Sequence, residues 1–191
     1  MVVVFSISLS VYLSFFKILF FLNLWHLRQN VFKKKTKLFL TNTSIIDFLT
    51  QIESIDFDPH SHLVFWTDTK ELSIRRSYIP ESSNGVEIGH PQSIATFTKT
   101  AKPVGLSVDW VAQNLYWIEV DTSSMKGQVV VAKSDGRYRR SLISRGIDTP
   151  TSVAANPILG EMFWSQAGSN PRIETAWMDG IIRLYQLLPF K

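Results

Sequence analysis

A short aromatic–tryptophan pattern occurs three times in this chain of 191 residues. The copies read Phe65-Trp66-Thr67-Asp68, Tyr116-Trp117-Ile118-Glu119 and Phe163-Trp164-Ser165-Gln166, with tryptophans 51 and 47 residues apart. A repeat of this length constrains the fold strongly, because each copy must be one supersecondary unit that buries its apolar face against the next. The register extends beyond the motif. Eight residues before each tryptophan stands Asp58, Asp109 or Asn156. After it, Ile74-Arg75-Arg76-Ser77 matches Val129-Val130-Val131-Ala132 and Ile173-Glu174-Thr175-Ala176.

Each copy holds four short apolar segments rich in Val, Ile, Phe, Tyr and Trp, the composition of strands. Leu106, Val108 and Trp110 alternate with Ser107 and Asp109, as a strand with two unlike faces requires. Pro59, Gln113-Asn114 and Pro157-Ile158-Leu159-Gly160 mark the turns between first and second strands. Asp135-Gly136 and Asp179-Gly180 predict tight hairpins between third and fourth strands, with Pro80 in the equivalent place of the first copy. Loop insertions at 80–92 and 121–127 account for the unequal spacing. The fold class is therefore all-β, with three four-stranded units over 51–98, 103–144 and 150–188, the pattern of β-propeller blades.

Trp66-Thr67-Asp68, Leu106-Ser107-Val108-Asp109-Trp110 and the run Asn170 to Gly180 (NPRIETAWMDG) resemble the YWTD, or class B, repeat of the low-density-lipoprotein receptor family. The resemblance covers about residues 51 to 188. It implies part of a six-bladed propeller in the extracellular region of an endocytic or signalling receptor. Such a propeller binds lipoprotein-like or growth-factor-like protein ligands and is not an enzyme. Phe65 and Phe163 depart from the family's Tyr, and Glu119 and Gln166 from its Asp. The resemblance makes that Asp a hydrogen-bonding group between strands. Three blades do not close a six-bladed ring, so the expectation is a fragment of a larger receptor, or self-association through open blade edges. A matrix or adhesion propeller is the alternative, and a metal-dependent propeller lactonase or hydrolase a more remote one.

Charge is divided unevenly. Residues 1–50 hold six basic groups and one acid, whereas the remainder holds 14 basic and 15 acidic residues. A near-neutral repeat region argues against nucleic-acid binding, which needs a basic face. The absence of Cys excludes disulfides and thiolate chemistry. Residues 1–25 are almost continuously apolar and long enough to span a bilayer, so a hydrophobic N-terminal helix is expected as an anchor, or as a signal segment cleaved from a secreted product. Residues 26–50 read as a basic and polar linker. Lys33 to Lys37 favours a cytosolic side, whereas an N-glycosylation sequon at Asn42 is usable only on the luminal side. The repeat decides in favour of a single-pass protein with the propeller extracellular.

Candidate sites are few. Asp58, Asp109 and Asn156 recur at one position before a turn, which points to Asx hydrogen bonding and not to metal ligation. Trp66, Trp117 and Trp164 read as packing between blades. His60, His62 and His90 read as turn and loop residues, with an acid-triggered switch as the sharper alternative. Trp110 and Trp177 break the repeat pattern. Trp177 with Arg172 and Glu174 is the expected ligand face, and Arg137-Tyr138-Arg139-Arg140 the second choice. No catalytic, cofactor or metal site is expected.

Overall fold

The computed structural model describes residues 52–79, 90–181 and 183–186. The expected N-terminal helix, the linker, the Lys33–Lys37 cluster and Asn42 lie outside these residues. No helix among the described residues is long and apolar enough to cross a membrane.

Three antiparallel meanders follow one another. The first blade contains β1 (Ile52–Asp58), β2 (Leu63–Asp68), β3 (Ser73–Tyr78) and β4 (Gln92–Thr96). The second contains β5 (Ala101–Asp109), β6 (Asn114–Asp121), β7 (Gly127–Lys133) and β8 (Arg140–Ile143). The third contains β9 (Pro150–Asn156), β10 (Glu161–Gln166), β11 (Arg172–Trp177) and β12 (Arg183–Gln186). Each sheet keeps its strands in chain order. The aromatic–Trp motifs are the second strands, as the repeat predicts. β5 begins at Ala101, two residues before the expected unit boundary at 103.

Strand alternation gives the middle blade two packing faces. Tyr116, Ile118, Val120, Val129 and Val131 join a core with Val153, Met162 and Trp164 of the third blade. Leu115, Trp117, Val130 and Ala132 join another with Phe65 and Ile74 of the first. Trp117 and Trp164 are about 1% exposed, and both look back into the preceding blade, Trp117 among Phe65 and Ile74 and Trp164 among Tyr116 and Ile118.

The inner strands are joined by a relay of polar groups. Val108 N–H donates to Asp56 Oδ2 at 2.8 Å, and Ser107 Oγ–H donates to the same carboxylate at 3.3 Å. Ala155 N–H in turn donates to Ser107 Oγ at 3.0 Å. Asp56 and Ser107 are equivalent residues of successive copies, so one position links each inner strand to the next. Beside this relay, Gly105 has φ +61°, and a Cβ there would lie 2.8 Å from Ser152 Cα. Only glycine combines that conformation with so close an approach of β5 to β9.

The third-to-fourth-strand connections are longer than the tight hairpins that Asp-Gly predicts. Six residues separate β7 from β8. Gly136 (φ +88°) and Gly180 (φ +85°) do supply left-handed backbone, but as the fourth residue of turns closed by Gly136 N–H on Lys133 O and Gly180 N–H on Trp177 O. Their second duty is contact with the preceding blade. A Cβ on Gly136 would lie 2.1 Å from Ile94 O, and one on Gly180 3.2 Å from Leu142 O.

Candidate protein-interaction face

A meander returns alternate connections to the same end of its sheet. The first-to-second-strand turns and the third-to-fourth-strand hairpins therefore share one end of each blade. Backbone bonds tie them together: Ile79 N–H to His62 O, Ser134 N–H to Gln113 O and Met178 N–H to Gly160 O.

The carboxylates of the first two turns organise them. Asp58 accepts from the N–H groups of His60 and Ser61, the Ser61 hydroxyl and, across the blade boundary, Gln113 Nε2 at 2.9 Å. Burial raises its carboxyl pKa, but these hydrogen bonds outweigh burial and hold it below the ordinary value. Asp109 accepts from Val111 N–H, Ala112 N–H and Asn114 Nδ2. Asn156 keeps a longer version, 3.4 Å from Leu159 N–H. All three turns end on a left-handed residue, His62 (φ 54°), Gln113 (φ 56°) and Gly160 (φ 68°), and only the last is glycine.

Between the turn ends of the second and third blades lies a cleft of about 510 Å³, lined by Val111, Tyr138, Arg140, Pro157 and Met178 among others. Its wall includes Tyr116, whose Oη–H donates to Met178 O at 3.2 Å. Burial, and next the Asp109 charge, pushes the Tyr116 phenol up to about 12. The same end of the molecule exposes Val111, Tyr138, Ile158, Leu159, Trp177 and Ile181. Exposed apolar side chains gathered at one end, with charged residues among them, have the character of a protein-contact surface.

The expected ligand face is therefore corrected. Along β11, Arg172 and Glu174 alternate with Trp177, which puts them on opposite faces of the sheet. Trp177 is 43% exposed at the turn end, whereas Glu174 is fully buried. Glu174 accepts from Arg172 Nε at 2.5 Å, Arg183 Nε at 2.5 Å and Gln166 Nε2 at 2.6 Å. Both guanidinium groups also hold the interblade linker: Arg172 and Arg183 donate to Gly146 O, and Arg183 to Arg145 O. Arg172 and Glu174 form an internal clamp, and Trp177 alone of the three belongs to the surface.

Each blade carries an acid–arginine pair near its tryptophan, but the arginine comes from the third strand in the first blade and from beyond the Asp-Gly turn in the other two. The first pairs Asp68 with Arg75 at 3.6 Å, and the second pairs Glu119 with Arg139 at 2.8 Å. Asp68 also accepts from the N–H groups of Lys70 and Glu71, so it caps the following turn, while Thr67 Oγ1 accepts from Ser54 N–H of the neighbouring strand. Arg139 and Arg183 lie 5.5 and 5.4 Å from the Trp117 and Trp164 ring centroids, a cation–π distance. Sequence reasoning missed Arg183 and took Arg139 only as part of a surface run, although both fall four residues after an Asp-Gly aspartate.

Of the second-choice run, Arg137 pairs with Asp135 at 2.7 Å, Arg139 is clamped as above, and Tyr138 and Arg140 are exposed. Trp110 is half-buried, its ring 5.0 Å from that of His60, and so bridges the turns of the first two blades. His62 packs edge-on against Tyr78, and His90 is exposed. Among the described residues, no three His, Cys, Asp or Glu side chains gather as a metal site.

No protein-family model matches the chain. It is 36% identical over 132 residues to low-density lipoprotein receptor-related protein 5 of Mus musculus, covering 69% of this chain and 8% of that one. It is 31% identical over 116 residues to low-density lipoprotein receptor-related protein 5-like protein of Homo sapiens, covering 61% of this chain and 41% of the relative. A chain in the crystal structure of a nidogen/laminin complex superposes with a TM-score of 0.59 at 31% identity, over 70% of this chain and 47% of that one. The chain thus spans less than half the length of each.

Proposed function

Its blades being YWTD-repeat blades of the low-density-lipoprotein receptor family, we propose that this chain is part of a receptor's extracellular propeller, which binds protein ligands and performs no catalysis. The observation that carries the reading is the turn end of the second and third blades. There Trp177, Ile158, Leu159 and Tyr138 stand exposed beside the cleft floored by Tyr116 and Met178. Aromatic and aliphatic anchors beside a concavity, with arginines at its margin, are the usual centre of a protein interface. A residue-level contact set of Trp177, Ile158 and Tyr138 replaces the expected Trp177, Arg172 and Glu174.

The likeness to a chain from a nidogen/laminin complex favours a second reading, a matrix or adhesion propeller. One experiment addresses both. The purified chain is passed over immobilised laminin and over a panel of secreted lipoproteins and growth factors, beside a Trp177→Asp/Ile158→Asp variant. Binding to a lipoprotein or growth factor, lost at least tenfold in the variant, supports the receptor reading. Binding to laminin alone supports the matrix reading. Binding that the variant leaves unchanged overturns the assignment of this face.

A further inference from the structure

We infer that the chain is processed where the β7–β8 hairpin enters β8, cut between Arg140 and Ser141 by a serine protease that reads clustered arginines. Arg137, Arg139 and Arg140 occupy the fourth, second and first positions before that bond. Residues Arg137 through Ser141 are all exposed, and the Arg137 side chain is 72% accessible. Exposed hairpin tips are where chains are nicked. A protease with carboxylates in successive subsites would hold these three guanidinium groups by charge-assisted hydrogen bonds. The Arg75-Arg76 pair offers the contrast. It lies within β3, third of four strands, with both residues half-buried.

The strand that must yield is weakly held. β8 has four residues, is the outermost strand of its sheet, and pairs with β7 at Val131–Arg140, Val130–Ser141 and Val129–Ile143, with a break in register. A protease needs residues 137–141 extended, whereas Tyr138 is left-handed (φ 58°) and Arg139 is fixed by Glu119 at 2.8 Å, by Phe97 and by Trp117. The Glu119–Arg139 pair is therefore the latch, and the cutting rate follows how often β8 lifts. The reaction is amide hydrolysis. Water adds its oxygen to the Arg140 carbonyl carbon, the C–N bond breaks, and both water protons pass in turn to the departing Ser141 nitrogen. An Arg140 carboxylate and a Ser141 ammonium result. The interblade cores contain none of residues 134–141.

That such a protease meets this hairpin rests on the extracellular reading above; the site itself does not. The full chain is incubated with furin, and the fragments, which no disulfide joins, are identified by mass spectrometry. One early cut giving residues 1–140 and 141–191 is expected. Arg140→Gln and Arg137→Gln should each slow it at least tenfold, and Glu119→Gln should speed it several-fold. A chain that stays whole while a peptide of residues 134–145 is cut to completion overturns the site, and an unchanged rate in Glu119→Gln overturns the latch. Cutting by furin in vitro, with the chain emerging whole from convertase-active secretory cells, counts against the extracellular reading and not against the site.

Discussion

Gln166 donates through Nε2 to the buried carboxylate of Glu174, 2.6 Å away. Gln166 stands where the other blades carry Asp68 and Glu119, so in the third blade the negative charge has moved across to the adjacent strand. The arginine has not moved. Arg183 meets Glu174 as Arg139, four residues after its own Asp-Gly aspartate, meets Glu119. The second and third copies keep the arginine while its acid changes strand, whereas the first keeps the acid at Asp68 and draws its arginine, Arg75, from the third strand.

Removal of the Glu174 charge should be among the costliest single changes. Glu174→Ala leaves two largely buried guanidinium groups without their carboxylate, a loss of about 3–5 kcal/mol by analogy with other broken buried pairs. Glu174→Gln should lose less, and Gln166→Glu/Glu174→Gln should recover part of that, because it restores the arrangement of the second blade. Urea unfolding of the four proteins checks this, and a double variant no more stable than Glu174→Gln counts against the equivalence.

The inner-strand relay gives a second expectation. Ser107→Ala removes the acceptor of the Ala155 N–H and should cost about 1–3 kcal/mol, the usual penalty for stranding a buried donor. Hydrogen exchange at Ala155 should rise with it. An unchanged amide would mean the bond contributes nothing to joining the second and third blades.

Asp58 sets an acid limit. Its carboxyl pKa is lowered in the folded chain, so the stability it contributes is full above the unfolded value of about 3.9 and is lost as pH falls through the folded value. Asp58→Asn should flatten the fall of thermal midpoint below pH 4 relative to the parent. Parallel curves would separate Asp58 from the acid transition.

At the alkaline end Tyr116 acts in the opposite sense. Its phenol is raised to about 12 by burial first and by Asp109 second. The stability it contributes is full below the unfolded value of about 10 and declines as pH rises from there towards 12. Difference absorbance near 295 nm should show one tyrosinate step, absent in Tyr116→Phe, that appears near pH 12 or together with unfolding.

Gly136→Ala tests the hairpin contact between blades. The new methyl would meet Ile94 O in a backbone conformation that costs L-residues about 1–2 kcal/mol, before any overpacking. Gly160→Ala, also left-handed but with only a distant Trp177 ring atom near it, should cost less. Equal midpoints for the two variants would remove the contact from the account.

The second-strand motifs were legible because a strand's period of two needs only local sequence. The Asx role of Asp58 and Asp109 was legible for the same reason, since the groups they bind lie two or three residues away. The expected face of Trp177, Arg172 and Glu174 failed because nearness along a strand is not nearness in space. Two residues apart share a face and three apart do not. Asp56 and Ser107 acquire their common role only when β1, β5 and β9 lie side by side.

By itself the sequence determined the repeat, its four-stranded unit, the second-strand register and the absence of disulfides, because strand periodicity, turn chemistry and residue inventory are local properties. Only the tertiary structure decided what happens between copies: which face of each blade looks forward or back, why Gly105 and Gly136 must be glycine, where Arg183 finds its acid, and that Trp177 and Glu174 part company. Those outcomes depend on contacts between residues about 10 to 60 positions apart. No local preference encodes such distances; packing the blades against one another does.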